Sequence, residues 1–417
     1  MKVLWLSHIQ ILPVDFISKN SYPGGNWISS LMQLVEDVES IELGIAFFGD
    51  ETISIQSTKG TSYFQIKQTK KNKIQDLLFR WEHKIDSDLQ KKSILNIINK
   101  FNPDVIHIFG TEALFGLFIN EINIPTVIQL QGLLNPCLNA WKIPGLTNFK
   151  LIINSTTSLF LRGAGLFHDY YRFRNKAKRE IDILNKCSNY IGRTHWDKAI
   201  TRLYSPNSNY FHCDEVLRDS FYKNKWVNHS SEVFVISSTI NADIYKGLDV
   251  ILKTADLLCK NTDLKFEWNI YGVNKECEYV HLVENLLKIK SNENNVNFKG
   301  IVNENELVKA LLNSNIFVHC SYIDNSPNSI CESQIIGLPV ISTNVGGIST
   351  LISNDYNGIL VPPNDPHYLA QSIIELSLNP NKMTSISDNS YMTAHKRHNK
   401  NTIVNDLINI YNIISRP

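Results

Sequence analysis

Residues 316–352 read IFVHCSYIDNSPNSICESQIIGLPVISTNVGGISTLI. Ile316, Phe317 and Val318 have the β-branched and aromatic character of a buried strand. Ser326 can cap a helix and Pro327 suits its first position, so the pattern predicts a helix over 327–336 that stops at Gly337. Residues 338–342, LPVIS, read as the next strand, followed by a Gly-Gly loop at 346–347. In an open α/β sheet such a helix start faces the carboxyl edge of the strands. Its unpaired N–H groups and partial positive charge favour phosphate there. Asp324 lies on the loop and Glu332 about a turn and a half into the helix. Two acceptor-only groups beside an anion site suit a ligand with phosphates in the middle and hydroxyls at both ends, the form of a nucleotide sugar. The same residues also read as ordinary strand–loop–helix punctuation with two solvated acids.

Asp324 to Glu332, followed by GLPVIST and the glycine pair, resembles the carboxylate-x7-carboxylate signature of retaining GT-B glycosyltransferases of glycosyltransferase family four. The wording NSPNSICES is close to a bacterial polysaccharide-type subset. The family usually has Glu where this chain has Asp324. The resemblance implies an α/β, GT-B fold: two Rossmann-like, doubly wound domains facing a cleft, with the donor on the second and the acceptor on the first. It implies transfer of a hexose from a UDP- or GDP-type sugar to a hydroxyl of a glycan or lipid-linked glycan, in cell-surface polysaccharide synthesis. Configuration is retained, and neither metal nor cofactor is required. Two other readings stay open: a GT-B epimerase or phosphorylase, and a catalytically silent GT-B subunit that binds glycan or a partner enzyme.

At 417 residues the chain is long enough for two domains, and 43% apolar with 19% charged residues excludes a disordered protein. The seven cysteines form no CxxC pair or metal spacing, which fits a reducing, cytoplasmic setting. MKVLWLSHIQ reads as a first strand and not as a signal peptide. No apolar run approaches the roughly 20 residues needed to span a bilayer. Residues 1–230 hold 27 Lys+Arg against 21 Asp+Glu, so the first half is basic and the second acidic. That asymmetry suits an anionic partner, namely a peripheral contact with the membrane inner face or a phosphorylated acceptor. It also fits chance differences between solvated faces. Nucleic acid is disfavoured, because the basic residues do not interleave with an aromatic platform.

Strand and helix patterns alternate along the chain, which predicts parallel sheets. The sequence places a first domain over 1–222, a polar linker KNKWVNHSS over 223–231, and a second domain over 232–400. A final helix over 401–417 packs back on the first domain, as the resemblance implies. After the first strand comes Gly24-Gly25 before a helix, either a turn or a backbone that approaches a ligand. The resemblance puts this pair beside the donor diphosphate and the acceptor. Over 74–100, Ile74, Leu77, Leu78, Trp81, Ile85 and Leu89 recur at helical spacing, with Lys70, Lys71, Lys73, Arg80, Lys84, Lys91 and Lys92 on the polar side. This is either a core-facing helix with a solvated basic face or an interfacial helix that docks on anionic lipid.

Candidate acceptor-side residues are His107, Gln131 and Arg193. His107 lies inside an apolar strand, where a packed core histidine is the competing reading. Gln131 stands where the family often has a His; Gln can hydrogen-bond a sugar hydroxyl but cannot take a proton. Arg193 ends a strand, where a guanidinium suits a phosphate or a structural seam. His212, Cys213 and Asp214 are adjacent and cannot converge on one ion in strand or helix, so no metal site is expected. In the second domain Lys246-Gly247 opens a helix, and a lysine there is a point charge for a diphosphate. It matches the family's Lys-Gly position, although SSTINADIY before it lacks the family's Arg. The resemblance assigns catalysis to Lys246, Asp324 and Glu332. It assigns donor binding to Gly24, Gly25, Lys246, Gly300, Ile301, Asp324, Ser326, Asn328, Ser329 and Glu332, with Gly300 and Ile301 bordering the base, Glu332 on the ribose and Asp324 on the sugar.

Overall fold

Short runs of β-branched and aromatic residues, most of them followed by a helix, build two separate sheets in the computed structural model. The structure describes residues 1–11, 27–49, 53–57, 59–67, 73–82, 88–229 and 232–416. Its contacts divide the chain into two units. The first comprises residues 1–135, 171–216 and 398–417, and the second comprises 136–170 and 217–397. The second unit thus includes 136–170, a stretch that the sequence pattern placed in the first domain, and its longer segment begins at Leu217, before the polar linker.

The first unit carries β1 (Lys2–Ser7), β2 (Glu42–Gly49), β3 (Ile53–Gln56), β4 (Ser62–Lys67), β5 (Val105–Phe109), β6 (Thr126–Gln129), β7 (Asn189–Gly192) and β8 (Asn209–His212). Their order is β3-β4-β2-β1-β5-β6-β7-β8, parallel throughout except for the antiparallel β3–β4 pair. The chain therefore winds from β1 to one edge, then returns to β5 and winds to the other. Helices cover both faces, so β1 is apolar on both. Trp5 joins a cluster with Phe109, Val127 and Tyr411, while Leu4 and Leu6 join another with Ile106 and Phe115, following the alternation of a strand. The helix Lys400–Ile414 supplies Leu407, Ile410 and Tyr411 to the first cluster.

The predicted helical segment over 74–100 is two helices, Lys73–Trp81 and Asp88–Phe101. Only the second faces the core, through Ile94, Ile98 and Phe101. The first buries none of its residues and exposes Ile74, Leu77, Leu78 and Trp81, which corrects the core-facing reading there.

The second unit carries β9 (Phe234–Thr239), β10 (Phe266–Tyr271), β11 (Val296–Gly300), β12 (Ile316–His319), β13 (Val340–Thr343) and β14 (Ile359–Val361). Their order is β11-β10-β9-β12-β13-β14, with every pair parallel. The winding reverses between β9 and β12, and in such sheets ligands bind outside the carboxyl ends of the two strands at the reversal. Among the described residues no helix is long and apolar enough to cross a membrane.

Candidate active site

The loops after β9 and β12 meet at this reversal. The loop after β9 runs through the short turn Ile244–Lys246 into Gly247 and the helix Leu248–Asn261. Gly247 is left-handed, with φ 79°, and a Cβ there would stand 2.0 Å from the Cys320 carbonyl oxygen. A side chain at 247 would thus be both strained and blocked. The Tyr322 N–H donates to the Tyr245 carbonyl at 2.8 Å, which fixes one loop on the other.

This packing brings Lys246 to Asp324. The Lys246 ammonium donates to Asp324 Oδ2 at 2.7 Å, and His319 Nε2, at the end of β12, is 3.2 Å from the same oxygen. Ser321 Oγ donates to Oδ2 at 3.3 Å and the Asn325 N–H to Oδ1 at 3.1 Å. Burial alone would raise the Asp324 carboxyl, but Lys246 and His319 outweigh it and hold the group well below the usual carboxylate range. Burial alone would also lower the Lys246 ammonium, but Asp324 outweighs it and Lys246 stays above the usual lysine value. The loop after β13 supports Asp324 from behind. The Gly347 N–H donates to the Asp324 carbonyl at 2.9 Å, and a Cβ on Gly346 would stand 1.9 Å from that oxygen.

The helix after this loop spans Asn328–Ile335, one residue shorter at each end than expected. Pro327 is its N-cap and not its first helical residue, and no side chain caps it. Its first N–H groups are thus left for water or a ligand, beside the half-buried Asn328 and Ser329. Ser326 is buried, with its hydroxyl 3.9 Å from the Cys331 sulfur, so it does not cap. Glu332 is largely buried and is gripped by Arg218, whose Nε donates to Oε1 at 2.7 Å and Nη2 to Oε2 at 2.8 Å. At the end of β11, Gly300 has φ 69°, and a Cβ there would stand 2.3 Å from Asn274 Oδ1. Ile301 beyond it is 58% exposed, an apolar side chain open to a planar ring.

The acceptor-side candidates fare differently. His107 is fully buried, with Nδ1 2.6 Å from the Tyr411 hydroxyl and its ring stacked on Phe109. Burial lowers its pKa to about 3. It is a core histidine, which removes it from acceptor contact. Arg193 is buried as well: Nη2 donates to the Gln131 carbonyl at 3.0 Å, Nη1 is 3.5 Å from Glu215, and the guanidinium lies over Trp27. These partners all belong to the first unit, so the guanidinium is packed inside that unit and its burial speaks against a phosphate-holding role. The Gln131 side chain is half-buried just beyond β6. His212 and Asp214 pair at 3.0 Å while the Cys213 thiol turns to the Ile403 carbonyl, so the three do not converge. Gly24 and Gly25 lie outside the described residues. Two site residues escaped sequence reading, His319 and Arg218. His319 could be inferred from its place at the end of the strand that feeds Asp324, whereas nothing local marks Arg218.

Residues 221–393 match the model of the family "Glycosyl transferases group 1". An uncharacterised glycosyltransferase of Methanocaldococcus jannaschii is 25% identical over 288 residues, 64% of this chain and 77% of that protein. The UDP-Gal:alpha-D-GlcNAc-diphosphoundecaprenol alpha-1,3-galactosyltransferase of Escherichia coli is 30% identical over 112 residues, 27% of this chain and 25% of that protein. Sucrose-phosphate synthase from Thermosynechococcus elongatus superposes with a TM-score of 0.71 at 14% identity, covering 99% of both chains. The fold is GT-B. Family model, relatives and fold together support a GT-B glycosyltransferase, and the group 1 match covers every donor-site candidate of the second unit.

Proposed function

We propose that this GT-B chain transfers a hexose from a UDP- or GDP-type sugar, with retention and without a metal, to a hydroxyl of a glycan or lipid-linked glycan in polysaccharide synthesis. The observation that carries the reading is the Lys246–Asp324 pair at the β9/β12 reversal, beside an uncapped helix start that leads to Glu332. The matched galactosyltransferase, named for UDP-Gal and a diphosphoundecaprenol acceptor, supports the donor and acceptor classes. When the anomeric C–O bond to the diphosphate breaks, negative charge builds on the leaving phosphate. Lys246 and the N–H groups at Asn328 and Ser329 offset it, already oriented before reaction. Glu332 accepts from the ribose diol, Asp324 from the transferred sugar, and Gly300–Ile301 border the base. The exposed face of Lys73–Trp81 supports a peripheral contact with an anionic membrane.

Calorimetric titration of each alanine variant with UDP and GDP, beside turnover of the full donor, tests these assignments. Glu332→Ala should weaken the bare diphosphate. Asp324→Ala should spare diphosphate affinity and lower turnover. Lys246→Ala should lower turnover by about 100-fold, the scale of one lost preorganised group. Loss of diphosphate binding in Asp324→Ala, or its full survival in Glu332→Ala, would reverse the two carboxylate roles.

A further inference from the structure

We infer that Arg218 is a positioning residue for the donor, acting through Glu332; the inference rests on the donor-site reading above. The two residues are 114 apart in sequence, yet Nε and Nη2 of Arg218 donate to separate oxygens of one carboxylate at 2.7 and 2.8 Å. A guanidinium offers only donors, so in this grip both Glu332 oxygens act as acceptors. It engages both oxygens at once and so fixes the plane of the carboxylate, which is what recognition of a vicinal diol requires. Their side chains are only 18% and 8% exposed, so solvent screens the pair weakly. Removing the guanidinium would take two charge-assisted donors from a largely buried carboxylate beside a ligand that is itself anionic.

A merely structural role for the pair would be redundant. Arg218 precedes the short helix Asp219–Tyr222 and lies over the ring of Phe221, which is fully buried. The Ser220 hydroxyl and N–H both donate to Glu304, at the start of the helix Glu304–Leu312. The Trp226 N–H donates at 2.7 Å to the carbonyl of Ile336, the C-cap of the helix that holds Glu332. Trp226 Nε1 donates to the Ser314 carbonyl, also at 2.7 Å. The segment is therefore fastened within the second unit by contacts other than that of Arg218 with Glu332. What Arg218 adds is the orientation and charge of Glu332.

The test is calorimetric titration of UDP and GDP into Arg218→Lys and Arg218→Gln, with each variant's melting temperature without ligand and its KM and kcat for the donor. Lysine keeps the charge and loses the fork. Arg218→Lys should melt near the wild type yet bind the diphosphate about tenfold more weakly, the weight of one charge-assisted hydrogen bond. The donor KM should rise by a similar factor while kcat changes less. Arg218→Gln should lose more affinity; should it fail to fold, Arg218→Lys carries the test alone. Variants that match the wild type in affinity, or that melt lower with affinity unchanged, would overturn the inference and leave a structural tie. A wild type that binds neither diphosphate would instead overturn the donor-site reading, and this inference with it.

Discussion

Asp324 and His107 show how differently two titratable groups largely withdrawn from solvent are handled. Asp324 keeps its charge because Lys246 and His319 contact one oxygen and a backbone N–H the other. His107 gives up its charge. Its surroundings are Phe109, Trp5 and the Tyr411 hydroxyl, and burial brings its pKa down to about 3. In the unfolded chain a histidine titrates near 6.5. Between these two values the unfolded state binds a proton that the folded state refuses, so stability falls as pH falls below about 6.5. The slope from this one group approaches about 1.4 kcal/mol per pH unit. Urea midpoints between pH 7 and 5 should show that slope in the wild type and a shallower one in His107→Gln. Equal slopes would mean that His107 becomes protonated in the folded protein. The family resemblance marked Lys246, Asp324 and Glu332, on a strand–loop–helix pattern that by itself also reads as ordinary punctuation with solvated charges. Sequence could not mark Arg218, whose role depends on a partner far along the chain, and it left His107 and Arg193 open because a polar residue at a strand reads alike in a core and at an edge.

At the scale of elements, periodicity identified those that bury a face. Among them are β1, β5, β9 and β12, which pair centrally in their sheets, and the helix Leu248–Asn261, which buries eight residues. It missed β3, a four-residue antiparallel edge strand, too short for an alternation to register. It also missed the helix Pro380–Arg397, where serines fill buried positions and blur the apolar stripe. The helix Lys73–Trp81 has a strong pattern but buries no side chain among the described residues. Its Ile74 and Leu78 are 73% and 56% exposed, with Lys73 and Arg80 on the same element. Co-sedimentation with vesicles rich in anionic phospholipid should retain the wild type and lose Ile74→Asp/Leu78→Asp by tenfold or more, since each buried aliphatic side chain contributes about 1.5–3 kcal/mol. High salt should weaken binding further. Equal retention on neutral vesicles, or none on either, would remove the membrane from the account.

For the whole molecule, the fold follows from the alternation of strands and helices, and the reversal of winding in the second sheet locates the candidate site. The unit boundaries were less legible, because residues 136–170 change units without any shift in composition. Donor chemistry without a metal has a direct check. Turnover in excess EDTA should match untreated protein if, as proposed, Lys246 and the helix start supply the positive charge that meets the leaving diphosphate. Loss on chelation, restored by magnesium or manganese, would replace that account with a metal-borne one.

The return of the helix Lys400–Ile414 to the first sheet has a consequence for biosynthesis. Translation usually lets an amino-terminal domain fold first, at about 5–20 residues per second. Here the partners of Trp5 and His107 arrive with Tyr411, and Leu407 and Ile410 close the same apolar cluster. When the ribosome has made residue 397, all of the second unit exists, while the first still lacks one wall of its core. The amino-terminal sheet therefore completes its core only once a helix encoded some three hundred codons after His107 has been made.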